Sequence, residues 1–140
     1  MSVRTFVLEL GQPGYPPQLA DTPDPPKRLY GIGDPSLLAP GLAIVGARKA
    51  TPYGLRATRL FASWAAGVEL AVISGAAIGC DGEAHRAAID AGGTTIAVLG
   101  CGADVDYPRR SAGILAHMRQ HTAVRSELPE VLGISNRILV

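Results

Sequence analysis

A chain of 140 residues, 47% hydrophobic and 18% charged, is long enough for one domain with its own core and excludes a disordered tract. A formal net charge of +1 excludes a uniformly basic surface, so any polyanion site has to be local. Two cysteines, Cys80 and Cys101, make no disulfide framework and lie in no metal-ligand spacing; with no apolar run of about 18 residues, and too short an N-terminal one for a signal peptide, this predicts a cytoplasmic protein without a membrane span.

Residues 1–40 are rich in proline and poor in periodicity, which predicts a loop-rich N-terminal layer with one short strand near 28–32. From residue 42 four short apolar runs follow: LAIV at 42–45, LAVIS at 70–74, TIAVL at 95–99 and TAV at 122–124. Each of the first three leads into a glycine-bearing turn and then a helix-compatible segment, at 54–66, 82–91 and 111–121. Strand, turn and helix in alternation predict an α/β, Rossmann-like three-layer domain with a mainly parallel sheet and helices covering both faces. This predicts a single domain over 1–140, with a βα core over 41–140. The inward stripes are Leu55, Thr58, Phe61, Ala62 and Ala65 in the first helix, Ala84, Ala87, Ala88 and Ala91 in the second, and Ile114, Leu115 and Met118 in the third. Gly67 and Gly92-Gly93 sit where the first two helices should stop.

In an open parallel sheet, ligands bind outside the carboxyl ends of the strands, and three glycine loops fall there. In AIVGARKATPYG, 43–54, Gly46 permits a sharp turn, Arg48 and Lys49 bring two cations, and Thr51 with Pro52 reads as a helix cap. A helix N-terminus beside cations is an anion site. In SGAAIGCDGEAH, 74–85, Ser74 ends the strand, Gly75 and Gly79 allow close backbone approach, and Asp81 reads as the N-cap of the next helix, with His85 one turn on. In LGCGADVDYPRR, 99–110, Gly100 and Gly102 follow the strand, Asp104 and Asp106 flank the turn before Tyr107-Pro108, and Arg109 and Arg110 lead into the third helix.

Each feature also has a plain structural reading. A glycine after a parallel strand is by itself only a turn. Asp81 reads as a cap before a catalyst, and His85 as a hydrogen-bonding structural residue before a general base. Tyr107-Pro108 reads as turn chemistry, and Arg109-Arg110 equally as a solvated pair or as phosphate contacts. Eleven of the thirteen basic residues are arginine, which suits forked contacts to phosphate and equally suits a GC-rich genome. What raises the set is convergence: three glycine loops on one edge of one sheet make a phosphate-bearing ligand the leading hypothesis.

A set of ordered motifs carries a resemblance. YPPQLADTPDPPKRLYGIGD, 15–34, resembles the N-terminal signature of the DprA/Smf (DNA-processing protein A) family, and AIVGARKATPYG resembles its Gly-x-Arg loop with Tyr-Gly downstream. SGAAIGCDGEAHRAAI is similar to its Ser-Gly-x-Ala-x-Gly-x-Asp-x-x-Ala-His-x-x-Ala pattern, and GTTIAVLGCGADVDYP to its Thr-Ile-Ala-Val-Leu-Gly-x-Gly-x-Asp-x-x-Tyr-Pro stretch. Ser126-Glu127-x-Pro129 resembles its Ser-Glu-x-Pro. The resemblance implies a Rossmann-like fold, binding of single-stranded DNA without sequence preference, homodimerisation, and help in loading RecA recombinase during natural transformation. It implies that Arg48 grips phosphate and that the loops at Gly46 and at Gly75 to Gly79 line the pocket. There are departures. Ser111 stands where the family has an asparagine, and no lysine follows, which leaves Arg109 or Arg110 to supply that charge. The family's longer segment after Ser-Glu-x-Pro is compressed to EVLGISNRILV, in which only Asn136, Arg137 and Ile138 match, so a C-terminally shortened member is implied.

The main rival is an enzyme of the Lonely-guy type, a nucleoside monophosphate phosphoribohydrolase, or a nucleotide-binding domain using the same pocket. The Pro-Gly-Gly-x-Gly-Thr loop of those enzymes is missing, since Gly92-Gly93-Thr94 lacks the proline and precedes a strand. No Gly-x-Gly-x-x-Gly follows the first core strand, no nucleophile elbow is present, and the three histidines have no ligand companions. The sequence therefore predicts a binding protein, not an enzyme, with no cofactor and no metal.

Overall fold

The computed structural model describes residues 4–128; Pro129, Asn136, Arg137 and Ile138 of the resemblance lie outside the described residues. The elements are β1 (Thr5–Glu9), α1 (Pro17–Ala20), β2 (Arg28–Gly33), β3 (Gly41–Ala43), α2 (Pro52–Gly67), β4 (Ala71–Ser74), α3 (Cys80–Asp90), β5 (Thr95–Leu99), α4 (Ala112–His121) and β6 (Ala123–Ser126), with 3-10 turns at Pro35–Leu37 and Arg109–Ser111. They form one six-stranded sheet in the order β1-β2-β6-β5-β4-β3. β3, β4, β5 and β6 pair in parallel, as the four apolar runs predict. β1 and β2 add on antiparallel, so residues 1–40 are more than a loop layer: they complete the sheet. The signal for β1 was present in the alternation of TFVLE, which leaves Phe6 and Leu8 half-buried and Thr5, Val7 and Glu9 exposed.

The expectation of helices on both faces holds only through the short α1; the three crossover helices share one face. The parallel strands run β3, β4, β5, β6 in one direction without reversal. A right-handed crossover made repeatedly in the same direction returns each helix to the same side of the sheet. Accordingly Val72 packs with Ala62, Ala65, Ala84, Ala87 and Ala88 of α2 and α3, while Ala97, Leu99, Val124 and Ile32 pack with Leu115 and Met118 of α4. By register and alternation these strand residues all share one face. The third layer, over Ile73 and Ile96, comes from the N-terminal part of the chain, around Leu19 and Leu38 to Pro40. Alanine on α3 explains the close approach of α2 and α3, since small side chains let helix axes come near both each other and the sheet.

Thr51 caps α2 as its position suggested, its Oγ1 accepting from the Gly54 N–H at 3.0 Å, with Pro52 just inside. α3 stops at Ala91, followed by Gly92 at φ +75°. Phe61 is a correction: it is 58% exposed, as are Tyr53, Leu60, Trp64 and Val68 by more than half, so the outer side of α2 carries an apolar stripe. Among the described residues no helix is long and apolar enough to cross a membrane.

Candidate nucleic-acid interface

The carboxyl ends of β3, β4 and β5 release three loops that side chains fasten to one another. Asp81 is the central tie. It does not cap α3 as expected, because it lies inside the first turn and the N-cap is Gly79. Its buried carboxylate instead reaches across the edge, accepting from the Gly46 N–H at 3.3 Å and the Gly75 N–H at 3.1 Å. One carboxylate thus joins the loop after β3 to the loop after β4. The Ser74 hydroxyl makes the same join from the strand side, donating to the Ile44 carbonyl at 2.5 Å. The loops touch closely enough that a Cβ at Gly46 would lie 2.7 Å from the Cys80 side chain, and one at Gly79, at φ +91°, would overlap the carbonyls of Ala47 and Arg48. These two glycines permit loop-on-loop packing.

His85 is buried, as the architectural reading required, and bonds to a neighbouring loop. Its Nε2 accepts from the Ala76 N–H at 3.2 Å, which leaves the proton on Nδ1, 2.6 Å from Thr95 Oγ1; that hydroxyl donates to the Val72 carbonyl at 2.9 Å. Burial, helped by the nearby Arg86 charge and opposed by a Ser74 backbone hydrogen bond, pushes the imidazole pKa down to about 3. The Ser111 hydroxyl donates to the Ala76 carbonyl at 2.6 Å and so ties in the third loop. Ala76, a non-glycine residue at φ +60°, has its N–H and its carbonyl both held by side chains, which is how a left-handed alanine persists at 0% exposure. Arg119 of α4 secures the outer end of the third loop through the carbonyls of Ala103 and Val105 and the Asp106 carboxylate.

On this braced edge the cations stand free. Arg48, Lys49, Arg109 and Arg110 are exposed, and among the described residues none is ion-paired, whereas Arg28, Arg59, Arg86 and Arg119 are. Several other expected contacts fall away. Ser74 is fully buried with its hydroxyl engaged, so it is removed from the phosphate contacts. Gly102 is buried as well, while Gly100 is half-buried. Gly46 and Gly75, expected to line the phosphate pocket, have their amides turned to Asp81. Tyr107 is half-exposed beside the two arginines, and its peptide bond to Pro108 is cis. Thr95, Ser111 and Arg119 were missed as site-building residues. The available signal for Thr95 and Ser111 was a hydroxyl inside or next to an apolar run, which needs a partner once buried. Among the described residues no three His, Cys, Asp or Glu side chains gather as for a metal.

The family model described as DNA recombination-mediator protein A matches residues 6–137. Protein Smf of Escherichia coli (strain K12) is 43% identical over 117 residues, 82% of this chain and 31% of that protein. DNA processing protein DprA of Bacillus subtilis (strain 168) is 37% identical over 117 residues, 82% of this chain and 39% of that protein. The X-ray structure of DprA from Streptococcus pneumoniae superposes with a TM-score of 0.85 at 32% identity, covering 93% of this chain and 46% of that one. DNA processing protein A from Helicobacter pylori, solved for its single-stranded DNA binding mode, gives 0.83 at 29% identity, covering 95% and 60%. The chain spans between 28% and 40% of the length of the curated relatives it matches.

Proposed function

Since the chain belongs to the DNA recombination-mediator protein A family, the DprA/Smf proteins, we propose that it binds single-stranded DNA through phosphate at the carboxyl edge of its sheet, as a DNA-processing protein of the cytoplasm. The observation that carries the reading is the set of four exposed, unpaired cations, Arg48, Lys49, Arg109 and Arg110, on loops locked together beneath them. Guanidinium groups bind phosphate oxygens in pairs, and a braced loop avoids part of the entropy of ordering on binding. The role is binding and not catalysis: Asp81 and His85, the two residues best suited to acid–base work, are both engaged in structural hydrogen bonds. Hand-over of the strand to RecA recombinase in natural transformation is part of the same proposal and rests on the family resemblance.

With a net charge of +1 there is little long-range attraction, so affinity comes from few contacts. If three cations engage, log K falls with log salt at a slope of about −2, at roughly 0.7 per neutralised phosphate on a single strand. Arg48→Ala weakens oligo-dT binding alike for all sequences and flattens that slope by about 0.7. Fluorescence anisotropy at two salt concentrations, on folded protein, reads both. An unchanged affinity would sink the assignment of Arg48, and binding of AMP without binding of oligo-dT would move the site to a nucleotide domain.

Homodimerisation is proposed through α2, with a second copy of this chain as the partner. Tyr53, Leu60, Phe61, Trp64 and Val68 lie on its outer side, each more than half exposed. Two-fold pairing of this stripe would bury at most about 600 Å² per copy from those residues, so the neighbouring surface must contribute to reach the roughly 800 Å² per partner of a standard interface. Sedimentation equilibrium is expected to show a dimer that Trp64→Glu converts to monomer without loss of helicity. A monomeric parent chain at tens of micromolar, or a dimer unmoved by Trp64→Glu, counts against this surface.

A further inference from the structure

A second charged group faces the other side of the sheet from the three crossover helices and takes no part in the hydrogen bonds that brace the loops. Arg125 is on β6, in register with Gly31 of β2 and Val98 of β5, and alternation points its side chain to the face away from α2, α3 and α4. Among the described residues it makes no ion pair, and its Nε is buried without a hydrogen-bond partner. Burial pushes its pKa below the ordinary arginine range, and the group opposing that shift is Tyr15, whose hydroxyl already donates to the Pro26 carbonyl at 2.7 Å. The guanidinium borders a cavity of about 330 Å³ walled by Leu19, Leu38, Ile73 and Ile96, with Gln18 and Thr22 as its polar members and no acidic side chain in the lining.

Among the described residues no carboxylate pairs with this partly buried guanidinium, although Glu127 also acts on Tyr15, and its Nε is cut off from any hydrogen-bond partner, a cost that an anion in the cavity would offset. Arg125 therefore has an anion to meet. We propose that this cavity is a binding site for a small amphipathic carboxylate, whose carboxylate takes the Arg125 guanidinium and whose apolar body lies against Leu19, Leu38, Ile73 and Ile96. A monocarboxylate matches the one positive charge; a phosphate dianion would carry an unbalanced negative charge into apolar surroundings. The volume is at the lower end of ligand pockets and suits a body of about eight carbons. Nucleic acid does not fit, because its backbone needs a row of cations and this cavity offers one.

The test is thermal unfolding of the full chain with octanoate, 1-octanol and octylamine, for the parent and for Arg125→Leu. Octanoate is expected to raise the parent Tm saturably by a few degrees, as a ligand of the native state does, while octanol and octylamine do not. Unliganded Arg125→Leu is expected to melt at or above the parent and to show no octanoate response. Oligo-dT binding by the parent is expected to be the same with and without octanoate, which separates this site from the sheet edge. A parent that does not respond to octanoate, or an equal response in both proteins, overturns the proposal. So does a several-degree lower Tm in Arg125→Leu, which would make the arginine a structural member of the fold.

Discussion

Asp81→Ala is expected to lower stability by about 3 kcal/mol, roughly three times the loss of an ordinary helix cap. The reason is the number and place of the donors left behind. The carboxylate accepts from the amides of Gly46 and Gly75, two loops 29 residues apart in sequence, and its removal leaves both partly buried N–H groups without their acceptor. Hydrogen bonds to a charged acceptor contribute about 1.5–3 kcal/mol each, and the 3.1 and 3.3 Å lengths place these at the lower end. Some further loss comes from an acidic residue leaving the first turn of α3. Asp81→Asn keeps one acceptor oxygen and is expected to lose about half as much. Urea unfolding with a common m-value measures both. The functional consequence is separable: the loop carrying Arg48 is freed from the loop after β4, so oligo-dT affinity falls in Asp81→Ala under conditions where the protein is still fully folded. A stability loss below about 1 kcal/mol would mean that Asp81 does no more than an ordinary cap.

The parallel half of the sheet was legible because each strand is a short apolar run, the first three closed by a glycine turn, and the three crossover helices because their inward stripes recur at helical spacing. The position of the helices was not, because periodicity says which side of a helix is buried and nothing about which side of the sheet it occupies; that depends on strand order, 3-4-5-6 without reversal. In the site, Arg48, Lys49, Arg109 and Arg110 were found by type and by their place after a strand. Asp81 was found but given the wrong bond, since a local cap and a bridge to Gly46 look alike in a sequence that hides the approach of residues 35 apart. Phe61 was read as inward from its spacing with Thr58, Ala62 and Ala65, yet only the latter three are buried; one more residue on the stripe's margin faces outward. The same distance problem hid Arg119, whose three bonds go to a loop 13 to 16 residues earlier.

Acidification is expected to destabilise this protein through His85, by about 2 kcal/mol between neutral pH and pH 5. In the native chain the imidazole stays neutral down to a pKa of about 3, because it is fully buried and its Nε2 already receives the Ala76 N–H, leaving no place for a second proton. In the unfolded chain the same imidazole takes up a proton near its ordinary value of 6.5. Between those two values the unfolded state binds the extra proton, so stability is full above pH 6.5 and falls as pH drops toward 3, at up to about 1.4 kcal/mol per pH unit. His85→Gln supplies the control: its side-chain oxygen can accept from Ala76 and it does not titrate. The variant begins less stable, having lost the bond to Thr95, but its stability falls less steeply with acid, and carboxylates elsewhere contribute equally to both proteins. The measured quantity is the difference in unfolding free energy between parent and variant across that range. If the difference stays constant with pH, His85 is not the neutral, doubly bonded pin that holds Ala76 and, through it, the loop after β4 in place for the cations at its edge.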